Sequence, residues 1–288
     1  MVGFLILLLI GSFGGFLAGI MGVGGGLVFI PVLTFIFNQF DLLSNTEIVR
    51  FTLANSIALV FISGISGVYR QYKMGIYNPI ESLSVGIPGA LFASLVSFAI
   101  QHGNWYNHTR FSYVFLGFLL ISIGNMLFKK DFNSHGNEGN VIKHSLAGKA
   151  MVGVLAGSVV ALSGLGGGIV MVPMFRMLLK LPVKKATALS LSVVPLLAIV
   201  PILQYIMDNQ APILQNSNLD WLNSLPLIQT KYILWLIYIP MAIGVLFFSS
   251  FGQKTSKRIP TRYIQVIFAF LSLIILFSIV FITSSPTA

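Results

Sequence analysis

The chain has 288 residues, of which 56% are apolar and 8% charged, and its mean hydropathy is +0.91. An average soluble domain carries roughly 25% charged residues, so this chain has too little charge to clothe a soluble enzyme, a disordered chain or a nucleic-acid-binding domain. The net charge of +10 therefore reads as the Lys and Arg excess of cytoplasmic loops, and the absence of cysteine removes disulfides and thiolate metal sites.

The opening MVGFLILLLIG lacks a basic leader and a cleavage site and reads as mature fold. It begins an apolar stretch, 4–37, cut in the middle by Gly22-Val23-Gly24-Gly25-Gly26. Apolar segments of spanning length follow near 51–69, 80–101 and 111–128. Polar residues 129–145 then separate the first part from a second. That second part has its own cut stretch, 147–179, broken at Gly164-Leu165-Gly166-Gly167-Gly168. Three more spans, near 186–207, 232–251 and 263–283, end the chain. Continuous apolar runs without dyad alternation predict helices and not a membrane barrel. The domain reading is a membrane repeat over 1–128, a cytoplasmic linker over 129–145 and a second membrane repeat over 146–288.

The two parts align with each other. Gly24, Gly25, Gly26 and Pro31 match Gly166, Gly167, Gly168 and Pro173 at a constant offset of 142. Pro88 matches Pro240, and Thr109-Arg110-Phe111 matches Thr261-Arg262-Tyr263, both at 152. Between them, Leu53-Ala54-Asn55-Ser56-Ile57 resembles Thr187-Ala188-Leu189-Ser190-Leu191 at 134.

Charge then selects the topology. If each cut stretch is a re-entrant hairpin and the N-terminus lies outside, 14 of the 17 Lys and Arg fall inside, leaving Arg50, Arg110 and Lys231 outside. If each cut stretch crosses once, the best division is only 10 against 7. The positive-inside rule favours the hairpins. Three spans per half is an odd number, so the second half is inserted upside down, an arrangement used by transporters with broken helices. The predicted fold is therefore an all-α polytopic membrane protein of two inverted repeats, each a Gly-broken re-entrant hairpin plus three transmembrane helices. Both termini are expected outside, in a multi-pass protein of the cytoplasmic membrane.

The segments FLAGIMGVGGGLVFIPVL and LAGSVVALSGLGGGIVMVPMF resemble the paired signatures of the TauE/SafE sulfite and sulfonate exporter family. Each half carries the Gly-rich break, then Pro31 or Pro173, then a small-residue patch on the next helix, Asn55-Ser56-Ile57 or Ser190-Leu191. Asn55 departs from the pattern, since threonine is commoner there. The resemblance implies transport of sulfur oxyanions or organosulfonates, with export in the best-known sense and uptake in some relatives.

The residues suggest how such an anion is held. A helix start presents unsatisfied N–H groups and a partial positive charge, and glycine admits an anion without an obstructing Cβ. The starts at Leu27 and Ile169, after Gly24-Gly25-Gly26 and Gly166-Gly167-Gly168, are expected to face each other and bind a small anion at the bilayer midplane. The opposing reading is that the glycines only permit close helix packing. A Val at Gly25 or Gly167 is expected to cover the N–H groups and abolish transport with insertion intact. Asn55, Ser56, Ser163 and Ser190 are candidate ligand donors, with Ser192 and Gln204 nearby. For any one serine the alternative is a bond to a carbonyl one turn back, whereas an amide in lipid needs several partners.

Absences matter too. No ionisable residue lies near the centre of a predicted span, Glu81 sits at a cytoplasmic helix start, and neither Gly cluster is followed by Lys-Ser/Thr. Electrogenic anion movement without proton coupling follows. Arg110 and Arg262 open helices at opposite faces, either snorkelling or funnelling anions. An intramembrane serine hydrolase at Ser163 needs a base, and His102, His108, His135 and His144 all lie in predicted loops. The expectation is thus a non-enzymatic transporter without cofactor or metal. Its partners are a small anion and the bilayer, with no nucleic acid, as a monomer or homodimer; a channel and a non-transporting subunit are the alternatives.

Overall fold

The computed structural model describes residues 2–22, 24–40, 43–127, 146–179, 181–214 and 228–256, together with Phe270. The linker 129–145, the span 263–283 apart from Phe270, and Arg262 lie outside the described residues. Nine helices are described: α1 (Val2–Met21), α2 (Gly26–Phe37), α3 (Asn45–Lys73), α4 (Pro79–His102), α5 (His108–Leu127), α6 (Leu146–Ser163), α7 (Gly168–Leu178), α8 (Val183–Met207) and α9 (Trp235–Ser256). Among the described residues, six helices are long and apolar enough to cross a membrane: α1, α3, α4, α6, α8 and α9.

Local chemistry sets the ends of these helices. Ser44 caps α3 by accepting from the Glu47 N–H, while Glu47 accepts from the Ser44 N–H, a reciprocal capping box. Asn78 caps α4 ahead of Pro79, placing Glu81 in the first turn. Where α1 and α6 end, three glycines with positive φ stop the helix; L side chains avoid that region at about 1–2 kcal/mol per residue.

The cut stretches differ from expectation in proportion. The break does not fall in the middle: α1 and α6 are long enough to cross alone, while α2 and α7 have 12 and 11 residues, about 18 and 16 Å. The glycine loop also doubles back. A side chain at Gly25 would meet the Gly14 carbonyl, and one at Gly167 would meet that of Ala156. The short helices thus begin beside the interior of the long ones, about 10 Å before their ends.

Helix directions follow from paired contacts. In α1 and α9, Gly11, Gly15 and Gly19 lie against Met241, Val245 and Ser249, so these helices run parallel. In α6 and α4, Gly153 and Gly157 lie against Val85 and Gly89, again parallel. Both pairs approach at backbone distance through small residues, which is how helices pack where lipid supplies no hydrophobic drive. Ser63 pairs with Ser249 and Ser66 with Ser250, so α3 parallels α9. Ser82 pairs with Ser192 and Gln204 donates to Ser94, so α4 parallels α8. Helices α3 and α8 cross the centre antiparallel: Gly64 lies by Pro195, Gly67 by Leu191, and Gln71 donates to the Ala188 carbonyl at 2.9 Å. Helices α1, α3 and α9 therefore point one way, and α4, α6 and α8 the other. Because α1 and α3 are parallel, α2 carries the chain back between them, and α7 does the same between α6 and α8.

The centre is almost wholly buried on α3, whose residues 48–60 include Phe51, Leu53, Ile57, Leu59 and Val60. The periphery is apolar and exposed, with Leu9, Leu91, Leu95 and Phe247 facing outward, as a lipid-facing surface requires. The predicted span 232–251 begins later than expected. Gln229–Thr230 and Ile233–Leu234 form a two-stranded antiparallel hairpin, β1 and β2, before α9 starts at Trp235.

Candidate functional site

The two glycine breaks meet at the centre of the bundle. Gly22, Gly24 and Gly25 have φ of 70, 89 and 80°, and Gly164, Gly166 and Gly167 have 67, 85 and 70°. The same conformations recur at the offset of 142. A Cβ on Gly24 would stand 3.3 Å from the Gly166 Cα, and one on Gly26 would run into the Gly164 carbonyl and Leu165. Gly25 and Gly167 are the left-handed N-caps of α2 and α7, and neither helix has a side-chain cap. A left-handed residue followed by helical ones turns successive N–H groups toward one point, a concavity suited to an anion. Pro31 and Pro173 lie inside α2 and α7, so the Leu27 and Ile169 carbonyls also lose their intrahelical donors.

Each break is held by the opposite half. Ser56 on α3 donates to the Gly164 carbonyl at 3.0 Å, and Ser190 on α8 donates to the Gly22 carbonyl at 2.9 Å. The two serines are offset by 134 and the two glycines by 142, so the bonds are equivalents of each other. Gly22 also lies against Thr187, and Gly164 against Leu53, whose numbers again differ by 134. Both serines are fully buried. Ser56→Ala and Ser190→Ala should each lower stability by about 1 kcal/mol. Thermal unfolding in detergent checks this, and the two losses should match because the bonds are equivalent.

The remaining candidates divide. Leu27 is buried in the first turn of α2, and Ile169 lies in the first turn of α7. Ser163, the last residue of α6, donates to the Val159 carbonyl one turn back at 2.7 Å. Asn55 requires correction. Its amide donates to the carbonyls of Phe51 (2.8 Å) and Tyr232 (2.9 Å), and its oxygen accepts from the Leu234 N–H at 3.2 Å. Both amide hydrogens are used within the protein, so Asn55 fastens the β1–β2 hairpin to α3 and has no donor left for a ligand. Ser192 and Gln204 join α8 to α4. Arg110 donates to the Trp105 carbonyl at the start of α5.

The expectation for Gly25→Val and Gly167→Val changes as well. A side chain at Gly25 would strike the Gly14 carbonyl and the Phe29 ring at 2.8 Å, and one at Gly167 the Ala156 carbonyl at 3.1 Å. These glycines are required by their own scaffold, so packing and ligand access both depend on them.

Sequence reasoning passed over a second polar cluster, where α3 starts and α4 and α8 end. It holds Arg50, Gln101, Tyr205 and Tyr232, all buried. The available signal was weak: each of these residues lies at or near a predicted span end, where polar side chains are ordinary.

Six crossing-length helices, with the two short helices that open after the glycine breaks, make this a multi-pass membrane protein. The family model described as Sulfite exporter TauE/SafE matches residues 7–279, and the chain belongs to that family. It is 28% identical over 261 residues to a "probable membrane transporter protein" of Methanocaldococcus jannaschii, covering 91% of this chain and 89% of that one. A protein of the same description from Haemophilus influenzae is 26% identical over 288 residues, covering 94% and 96%. The "probable membrane transporter protein YunE" of Bacillus subtilis is 24% identical over 283 residues, covering 92% and 93%. No solved structure matches the chain.

Proposed function

We propose that the protein is an electrogenic transporter of small sulfur-bearing anions, of the sulfite and organosulfonate class, acting in export. The observation that carries this reading is the meeting of the two glycine breaks, each opening a short helix, at the centre of the bundle. The anion is taken by the N–H groups of Gly24–Leu27 and Gly166–Ile169, where two helix dipoles add their positive ends. Ser56 and Ser190 position the breaks through their carbonyls and do not contact the ligand.

The halves are read as inverted repeats with a two-fold axis in the membrane plane. Support comes from the antiparallel α3 and α8, from the opposed directions of α1 and α6, and from the reciprocal serine bonds. In this arrangement Arg70, Lys73, Lys149, Arg176, Lys185 and Lys254 share one side, taken as cytoplasmic, and Arg50, Arg110 and Lys231 the other. Both termini are then outside. A reporter active only in the cytoplasm, fused at Ala288, should stay silent.

The protein is read as a carrier and not a hydrolase, because the Ser163 hydroxyl is engaged by Val159 and His102 stacks on Phe98 at a helix end. Among the described residues the breaks are lined without a carboxylate or imidazole, and in this reading the driving force is the membrane potential. A cell negative inside favours anion exit by about 2.3 kcal/mol per charge per 100 mV. In liposomes, flux of a permanently ionised sulfonate should move net charge, follow an imposed potential and change little with pH. Uphill accumulation driven by a pH gradient at zero potential would overturn the uncoupled mechanism.

A further inference from the structure

We propose that Arg50 anchors an oxyanion-binding site at the mouth where α3 starts, separate from the glycine breaks. The binding chemistry stands on its own; its place on a transport route rests on the carrier reading above.

Arg50 lies in the second turn of α3 and is 7% exposed. A guanidinium is charged at every accessible pH and here stands near a helix start, whose dipole is also positive. Among the described residues it makes no ion pair. Its contacts are neutral and long: Nη1 to the Tyr232 hydroxyl at 3.5 Å, and Nη2 to the Gly103 carbonyl at 3.3 Å and Asn104 Oδ1 at 3.5 Å. Its Nε is buried and has no acceptor. Among the described acids, Glu47 accepts from the Ser44 N–H and Asp208 Oδ1 from the Gln210 N–H, while Asp208 Oδ2 is buried without a donor and makes no ion pair with Arg50. A buried cation in this position calls for an anionic partner.

Among the described residues the unpartnered groups beside Arg50 are mostly donors, with the buried Asp208 Oδ2 as a nearby acceptor that also lacks a partner. Gln101, 2% exposed, has an unpartnered Nε2, and fully buried Tyr205 has an unpartnered hydroxyl. Tyr205 meets Tyr232 edge-on, with centroids 5.8 Å apart, faces the Gln101 side chain at hydrogen-bonding range, and lies within electrostatic reach of Arg50 and Asp208. Burial pushes the Tyr232 phenol up, against the opposing pull of Arg50, so its hydroxyl remains a donor. One turn inward from Gln101 on α4, the fully buried Ser97 Oγ is also unpartnered. A guanidinium, an amide and two phenols converging on one place suit a tetrahedral oxyanion with three or more acceptor oxygens.

The opposite mouth repeats the motif. Gln253 is the equivalent of Gln101 at the offset of 152, and its Nε2 is likewise buried and unpartnered, 3.0 Å from the position of a Cβ on Gly67. One turn beyond Gly67, the Arg70 Nε is buried without an acceptor. Arg50 and Arg70 are 20 residues apart on α3, about 30 Å, the thickness of the hydrocarbon core.

The test is isothermal titration of the purified full-length protein with sulfate, and separately with methanesulfonate, at ionic strength matched with chloride. Arg50→Gln should weaken sulfate binding at least tenfold and Gln101→Leu severalfold. Asp208→Asn should tighten it, because a neighbouring negative charge is removed. Arg110→Gln, which deletes the same charge from an exposed side chain at the same end, should leave it within twofold. If Arg50→Gln does not fold, Arg50→Lys keeps the charge without Nε and should still lose at least threefold. Arg50 variants binding within twofold of wild type, or weaker binding by Asp208→Asn, would overturn the site. Sulfate binding as described with no liposome flux would remove the carrier reading and leave the site standing. Unchanged binding with normal flux in Arg50→Gln would do the reverse.

Discussion

Gly25→Val and Gly167→Val are expected to yield little or no monodisperse protein in detergent, with transport lost as a consequence of lost structure. At each position a side chain adopts a left-handed φ, of 80 or 70°, at about 1–2 kcal/mol. It also presses on a neighbouring backbone carbonyl, 2.8 Å away at Gly25 and 3.1 Å at Gly167; overpacking of this kind costs about 1–3 kcal/mol. The sum is a large fraction of ordinary domain stability. Size-exclusion profiles and thermal unfolding check it. A folded, well-behaved Gly25→Val protein would show that the loop can leave α1, and the break would then not be a rigid part of the site.

Asn55→Ala is the second large effect. It deletes two donated bonds and one accepted bond within a fully buried site, and it orphans the Tyr232 carbonyl and the Leu234 N–H. At about 1–3 kcal/mol for each of the two buried groups left unsatisfied, the loss is about 2–6 kcal/mol. Because Tyr232 also touches Arg50, the hairpin before α9 should loosen and anion affinity should fall with it. Asn55→Asp keeps the acceptor but removes both donors and adds a buried charge, so it should be worse than Ala. Unfolding midpoints of the two variants give the order. A wild-type midpoint for Asn55→Ala would mean that the hairpin is held by other contacts.

How much of this was legible beforehand differs by residue. The glycine clusters were readable because a helix cannot continue through several left-handed residues, and that constraint is written in residue type. The prolines at 31 and 173 and the offset of 142 made the two breaks recognisable as copies. The match of Ser56 to Ser190 was softer in sequence, being carried by few residues, yet the reciprocal bonds to Gly164 and Gly22 make it firm. Asn55 misled for a definite reason. An amide in an apolar helix must find partners, but residue type does not say whether they are a ligand or a hairpin 177 residues away. The asymmetry of the hairpin arms was also hidden, since the loop's return along α1 depends on Gly14 and Phe29 lying beside it.

The sequence by itself determined the class of fold and the position of the two glycine breaks. Each of these follows from local rules: the length of apolar runs, the backbone freedom of glycine and the distribution of Lys and Arg across loops. Only the tertiary structure decided which half supports which break, because the serine bonds join residues 108 and 168 positions apart. It likewise decided that Arg50, Gln101, Tyr205 and Tyr232 form one cluster. The ends of α3, α4 and α8 and the hairpin before α9 meet there, and what each side chain lacks becomes apparent only when its neighbours are in place. Hydrogen-bond satisfaction is a property of assembled surroundings, and no local pattern in the chain encodes it.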